Sequence, residues 1–150
     1  WLVDSPNEVL PTMSPEPLDD EFTVETLAES FAGRKAALKA LLLEQSVACG
    51  LGNLYADESL FLAGLHPERP ASELSVEEIA RLRQAIIDSL TAAYGVYDRA
   101  RDQDWPDPPT ALTTWSHPRD IKAGCPNCGT NMTAIRVRAR STYFCAECQV

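Results

Sequence analysis

In the stretch SVACGLGNLYADESLF, residues 46–61, two glycines and an asparagine interrupt sequence that is otherwise helical. Gly50 and Gly52 can adopt backbone angles closed to other residues, and Asn53 is a favourable helix cap. The stretch therefore predicts a tight turn that leads directly into a new helix. The N–H groups at such a helix start can bind an anion, and phosphate is the first candidate.

Apolar residues at helical spacing surround this turn. The predicted helices cover residues 23–33, 34–46, 53–64 and 75–95, and the last one begins with a capping box of Ser75 and Glu78. Four helices of this kind predict a bundle in which Asn53 lies at the start of the third helix.

Changes in composition divide the chain into four segments. Residues 1–20 are expected to be the end of a strand, WLV, and a linker, 21–100 the helical domain, 101–120 a proline-rich linker and 121–150 a zinc finger. The predicted fold class is mainly α, a helix-two-turn-helix bundle followed by a small four-cysteine β-hairpin.

Four cysteines near the C-terminus form the most specific motif in the chain. They follow the pattern C-x2-C-x16-C-x2-C, with Cys125, Cys128, Cys145 and Cys148. Two such pairs at this separation predict one structural Zn²⁺ held by four thiolates, because each short loop brings two sulfurs to one tetrahedral ion. Two disulfides or free thiols are the alternative.

The segment between the cysteine pairs alternates between apolar and basic residues. Ile135 and Val137 are expected on one face of a strand, and Arg136 and Arg138 on the other. A hairpin between the two cysteine pairs would also carry Arg140, so three arginines are candidates for one contact surface.

The net charge of −9 is unevenly distributed. Residues 119–150 hold five basic and two acidic side chains, a net charge of +3, which leaves −12 for residues 1–118. The net charge argues against nonspecific nucleic-acid binding by the whole molecule, whereas its asymmetry indicates a local basic contact surface or an ordinary solvated acidic one.

No apolar run approaches the roughly 18 residues of a membrane span, and the acidic opening is not a signal peptide. We therefore expect a soluble intracellular protein with no membrane partner. We also expect a monomer in the cytoplasm, associated with the nucleoid, in a reducing compartment where thiolates can hold zinc.

Three motifs occur in an order and at a spacing typical of one enzyme family. They are SPEPLDDEF (residues 14–22), GLGNLYADESLFLAGLHP (50–67) and the pair CPNCG (125–129) and RSTYFCAECQ (140–149). Together they resemble the C-terminal half of the formamidopyrimidine-DNA glycosylase and endonuclease VIII family, and the glycine-turn motif favours the formamidopyrimidine branch. The resemblance implies a helix-two-turn-helix module and a zinc finger that jointly hold damaged double-stranded DNA.

The resemblance also implies which residues contact DNA. Asn53 would contact a phosphate beside the lesion, supported by the backbone of Gly52, and Arg140 would bind phosphate around the flipped nucleotide. Lys39, fourteen positions before Asn53, matches a family site near the lesion. Arg136 and Arg138 are further phosphate candidates.

Each of these assignments has a simpler alternative. Asn53 could serve only as a helix cap, Lys39 only as a solvated helix residue and Arg140 only as surface charge. Glu58 is expected to be a structural hydrogen-bonding partner and Cys49 a buried small apolar residue. His66 and His117, each followed by proline, are expected in loops.

The family's catalytic groups belong to an N-terminal β-sandwich domain, where an N-terminal proline acts as an amine nucleophile. This chain starts at Trp1, so we expect a piece of a longer glycosylase and lyase, inactive alone, that removes oxidised purines such as 8-oxoguanine and formamidopyrimidines. Residues 105–124 depart from the family, which has a glycine-containing loop there. A noncatalytic DNA-binding module and a protein-interaction zinc module are the alternatives.

Overall fold

The computed structural model describes residues 13–100 and 116–150. Its elements, in chain order, are α1 (Val24–Phe31), α2 (Leu38–Leu42), α3 (Asn53–Ala63), a 3₁₀ turn (Ala71–Glu73), α4 (Val76–Ala100), β1 (Thr133–Val137) and β2 (Arg140–Phe144). The predicted mainly helical fold with a four-cysteine hairpin is confirmed. The WLV strand and most of the 101–120 linker lie outside the described residues.

Local capping explains where α1 and α4 begin. Thr23 and Thr26 exchange hydrogen bonds between side chain and backbone N–H in both directions, at 3.0 and 3.2 Å. Ser75 and Glu78 form the predicted capping box before α4 in the same way. α4 continues past its predicted end at Gly95 to Ala100.

The second helix is much shorter than the predicted 34–46. Leu38 N and Lys39 N donate to the carbonyls of Arg69 and Pro67, at 2.9 and 3.0 Å, so the first residues of α2 bind a distant loop and the helix does not extend back towards Arg34. Beyond α2, Gln45 Oε1 accepts a hydrogen bond of 2.8 Å from Gly50 N and thereby closes the predicted tight turn.

The third helix begins as predicted, but its cap differs. Gly52 occupies the N-cap position, with φ −92° and ψ 171°, and Asn53 is the first helical residue. The interpretation of Asn53 as a cap is therefore wrong. α3 ends at Gly64, whose φ of +67° is the left-handed conformation that glycine accepts without strain.

Two apolar clusters hold the molecule together. The larger one lies among the helices and includes Phe22, Leu27, Phe31, Leu38, Leu41, Leu42, Leu60, Leu65, Leu82 and Ile86. The smaller one joins Phe61 of α3 to Cys125, Met132 and Cys145. Because α3 contributes to both clusters, the hairpin is packed directly on the helix that starts at Asn53.

The hairpin pairs β1 with β2 in antiparallel register, and Val137 opposes Arg140. The two residues between them, Arg138 and Ala139, both have positive φ, as the common two-residue hairpin turn requires. Within β1 the alternation is confirmed, with Arg136 exposed and Val137 buried. Arg138, however, lies in the turn and not on the strand. In the residues that are described, no helix is long and apolar enough to cross a membrane.

Candidate nucleic-acid interface

The four predicted cysteine ligands converge on one point. All four Sγ atoms lie within 4.8 Å of one another, with Cys125 to Cys148 at 3.9 Å and Cys128 to Cys145 at 3.5 Å. Sulfurs around a tetrahedral ion with bonds of about 2.3 Å stand about 3.8 Å apart, whereas a disulfide bond measures about 2.05 Å. The site therefore fits one metal ion, and the disulfide alternative is wrong for these pairs.

Hydrogen bonds within the protein fix the shape of both cysteine loops. Cys125 N donates to Thr130 O at 2.8 Å, and Cys145 N donates to Gln149 Oε1 at 2.9 Å. The buried amide of Gln149 also donates to Leu65 O at 2.9 Å. The second cysteine loop is thus fixed to the end of α3 as well as to the hairpin.

The start of α3 faces the hairpin. Across the two described ranges, no side chain caps this helix start, so the N–H groups of Asn53 and Leu54 point out of the helix. Asn53 Nδ2 donates to the carbonyl of Ser141 at 3.3 Å. Its Oδ1 is buried without a hydrogen-bond partner among the described residues. Asn53 therefore joins the glycine turn to the first residues of β2.

Arg140 begins β2, immediately before Ser141, and its side chain is exposed. It forms no ion pair with any residue that the structure describes. An exposed guanidinium on the residue next to Ser141, which binds Asn53, is what a phosphate-binding site would need.

The other two arginines of the hairpin are less available. Arg138 forms an ion pair with Glu44, which also pairs with Arg34 at 2.7 Å. Burial raises the pKa of Glu44, but hydrogen bonds from both arginines outweigh it and hold the pKa below its ordinary value. Arg136 is exposed, and its Nη1 lies 3.5 Å from Ala139 O. Glu44 therefore offsets part of the charge that Arg138 could offer an anion.

Lys39 is entirely enclosed. Its Nζ lies 2.5 Å from Asp57 Oδ1 and donates to Thr142 Oγ1 at 2.7 Å and to Ser141 O at 3.2 Å. The alternative of a solvated helix residue is wrong, because the side chain has no exposed surface. Burial lowers the pKa of Lys39, and Asp57 partly restores it. A contact between Lys39 and a lesion stays a prediction; in this conformation the ammonium group faces the hairpin.

Asp57 and Arg119 complete this cluster, and sequence reasoning missed both. Asp57 Oδ2 accepts hydrogen bonds from Arg119 Nη1 at 2.7 Å and from Tyr143 N at 3.3 Å. The Arg119 guanidinium also lies 4.8 Å from the centre of the Tyr143 ring. One signal was present in the sequence: Asp57 is a charged residue four positions after Asn53, on the same side of α3.

Glu58 is a structural partner, as predicted. Its two carboxylate oxygens bind Ser116 N at 2.7 Å and His117 Nδ1 at 2.8 Å. Burial raises the pKa of Glu58, but these hydrogen bonds outweigh it, so the pKa lies below its ordinary value. His117 is in a loop, as expected, yet it is buried and its ring stacks on Phe61.

Two minor predictions have different outcomes. His66 lies in a loop, as expected, where its Nδ1 accepts from Glu68 N and its ring meets the edge of Phe144. Cys49 is half-buried instead of buried, and it lines a cavity of about 350 Å³ with Tyr55 and Tyr94.

Sequence comparison connects this geometry with known proteins. The family model described as the formamidopyrimidine-DNA glycosylase H2TH domain matches residues 13–100. The formamidopyrimidine-DNA glycosylase of Roseiflexus sp. (strain RS-1) is 40% identical over 148 residues, covering 89% of this chain and 50% of the relative. That of Acaryochloris marina is 35% identical over 144 residues, covering 93% and 50%. The chain thus spans about half the length of these curated relatives.

Solved structures show the same fold. The MutM (Fpg) protein of Thermus thermophilus superposes with a TM-score of 0.81 at 35% identity, covering 92% of this chain and 54% of that one. The Lactococcus lactis enzyme bound noncovalently to DNA containing an AP site superposes with a TM-score of 0.79 at 30% identity, covering 95% and 54%. With the family model matched over more than half of its residues, the chain belongs to the formamidopyrimidine-DNA glycosylase family.

Proposed function

We propose that this chain is the DNA-binding half of a base-excision DNA glycosylase and AP lyase. It binds the phosphates of damaged double-stranded DNA around a flipped nucleotide, and the complete protein removes oxidised purines such as 8-oxoguanine and formamidopyrimidines. The relative from Lactococcus lactis, solved with AP-site DNA, supports the choice of partner. The chain alone acts as an inactive monomer, in the cytoplasm.

One observation carries the proposal, namely the position of Asn53 beside the residue that follows Arg140. The Asn53 amide donates to Ser141 O, which joins the helix start to the strand residue next to the exposed Arg140. Helix-start N–H groups and an arginine with no ion pair among the described residues both suit phosphate, and neither reads a base edge. This surface would therefore hold a distorted duplex independently of its sequence, as an enzyme that flips nucleotides requires.

The charge distribution favours DNA binding at the hairpin. Residues 119–150 carry +3 and residues 1–118 carry −12, so the helical part repels DNA except where the hairpin approaches it. Backbone contacts through Arg140, with Arg136 as an additional candidate, would supply the local attraction.

The metal ion of the finger is Zn²⁺ in this proposal, because four thiolates at this spacing are its typical structural ligand set. The ion would be structural, since four thiolates leave no position for a reacting water. Its role is to hold the cysteine loops so that β2 keeps its place against α3.

Binding to a duplex with one abasic site tests this function. We expect the zinc-loaded chain to bind it more tightly than the undamaged duplex, and Arg140→Ala and Asn53→Ala each to weaken binding. Lys35→Ala is the matched control, because it removes one exposed positive charge from the helical part. A folded chain that ignores the abasic duplex at low salt would instead favour a protein-interaction zinc module.

A further inference from the structure

We propose that Lys39 and Asp57 are positioning residues that hold Arg140 at a fixed distance from Asn53. The inference rests on the proposed function, since it concerns the same phosphate-binding surface. Lys39 and Asp57 belong to a buried cluster with Arg119 and Thr142. This cluster would fix the helix start and Arg140, the two anion-binding groups, relative to each other.

The hydrogen bonds of this cluster end on the backbone around Arg140. Lys39 Nζ donates to Ser141 O at 3.2 Å, the same carbonyl that accepts from Asn53 Nδ2. Thr142 Oγ1 accepts from Lys39 Nζ at 2.7 Å and donates to Arg140 O at 3.2 Å. Two consecutive carbonyls, those of Arg140 and Ser141, are therefore fixed through one ammonium group.

Asp57 secures the other side of this arrangement. It pairs with Lys39, and it accepts from Tyr143 N at 3.3 Å, so a residue of α3 sets the position of β2. Asp57 lies one helical turn after Asn53. Asp57 thus fixes β2 to the helix that starts at Asn53, and Lys39 fixes the carbonyls of Arg140 and Ser141. Together they determine the distance from the helix start to Arg140.

Stability alone does not explain a cluster of this kind. Taking an ammonium and a carboxylate out of water costs more than their attraction usually returns, and apolar residues of similar volume are often at least as stabilising. Lys39 and Asp57 have no exposed surface. What apolar residues could not provide is the set of directed hydrogen bonds to β2, and these determine where Arg140 stands.

A double-mutant cycle on the zinc-loaded full chain tests the inference, with a duplex carrying one abasic site as the probe. Arg140→Ala is measured in the wild type and in the Lys39→Met/Asp57→Leu background, where the cluster is replaced by apolar side chains. The matched control background is Ser59→Ala/Ser89→Ala, which removes a buried polar pair between α3 and α4. Thermal unfolding confirms that each background is folded.

In the wild type and in the control background, Arg140→Ala should weaken binding about tenfold. Without the cluster the same substitution should weaken binding only about twofold, because Arg140 no longer stands where the phosphate lies. A tenfold loss in all three backgrounds would overturn the positioning role and leave the proposed function intact. No loss in the wild type would overturn both.

If Lys39→Met/Asp57→Leu does not fold, Thr142→Val takes its place in the cycle. This substitution keeps the shape of the side chain and removes only its hydrogen bonds to Lys39 and Arg140. A smaller effect of Arg140→Ala in the Thr142→Val background supports the inference, and an unchanged effect contradicts it.

Discussion

Lys39 Nζ and Asp57 Oδ1 lie 2.5 Å apart, and neither side chain has any exposed surface. This pair joins α2 to α3, and further hydrogen bonds connect it to β2 and to Arg119. A substitution in the helical bundle should therefore affect the hairpin, although more than 80 residues separate them in sequence.

Removing one partner of this pair should be costly. Asp57→Leu leaves the Lys39 ammonium without a counter-charge, and we expect it to lower the free energy of unfolding by about 3–5 kcal/mol. Lys39→Met/Asp57→Leu should recover part of that loss, because the fully enclosed ammonium is gone and only the partly exposed Arg119 lacks its partner. Urea unfolding of both zinc-loaded variants measures the difference; equal losses would show that the enclosed charge is not the cause.

Removing the metal should separate the finger from the bundle. A two-stranded hairpin is marginal alone, and its packing on α3 through Phe61 involves Cys125 and Cys145, whose loops the ion holds together. We expect a chelator to abolish binding to the abasic duplex while the circular dichroism of the helices largely persists. Restoring Zn²⁺ should restore binding. Full binding after verified metal loss would contradict the structural role of the ion.

Acid should weaken the contact between α3 and the segment that enters the finger. Burial raises the pKa of Glu58, but the hydrogen bonds from His117 and Ser116 outweigh it and place the pKa below the ordinary value of 4.5. The carboxylate therefore stabilises the fold above pH 4.5, and this contribution disappears as the pH falls through the lower folded-state pKa.

Glu58→Gln is the variant that isolates this effect. Its free energy of unfolding should depend less on pH between about 6 and about 3 than that of the wild type, since it has no carboxylate to protonate. Both proteins lose metal in acid, so the difference between them reports Glu58. Parallel pH profiles would show that Glu58 contributes no pH dependence.

The arginines of the hairpin should differ in their dependence on salt. Arg140→Ala should reduce the slope of log K against log salt by about 1, because one phosphate contact is lost. Arg138→Ala should change the slope less, because Glu44 already pairs with that guanidinium. DNA-binding titrations at several salt concentrations measure both slopes. Equal changes in slope for the two variants would mean that Glu44 releases Arg138 when DNA binds.

Local signals in the sequence predicted the local features of the fold. These features are the start of α1 at Thr23, the capping box at Ser75 and Gly64 directly after α3. Each depends on residues only a few positions apart, so the sequence pattern predicts it. The predicted start of α2 was wrong because the first two N–H groups of this helix bind the carbonyls of Arg69 and Pro67, contacts that no helical period encodes.

In the candidate site, the metal ligands were predictable from the sequence, but the buried cluster around Lys39 was not. The four cysteines were recognisable from spacing, since both ligands of each pair lie in one loop. Lys39 contacts Thr142, about a hundred positions away in the sequence. A lysine in a helix usually indicates a solvent-exposed position, whereas Lys39 is buried. A sequence pattern shows residue types and spacing, but it does not show which side chains the tertiary fold encloses.

In the proposed function, Asn53 and Arg140 bind the phosphates of damaged DNA. Its most direct test is a ¹H–¹⁵N spectrum of the zinc-loaded chain, titrated with a duplex that carries one abasic site. We expect the largest changes at the backbone amides of Gly52 and Asn53 and at Arg140 Nε, with Lys35 unchanged. Changes that avoid the glycine turn and the hairpin, or none at saturating DNA, would contradict the claim.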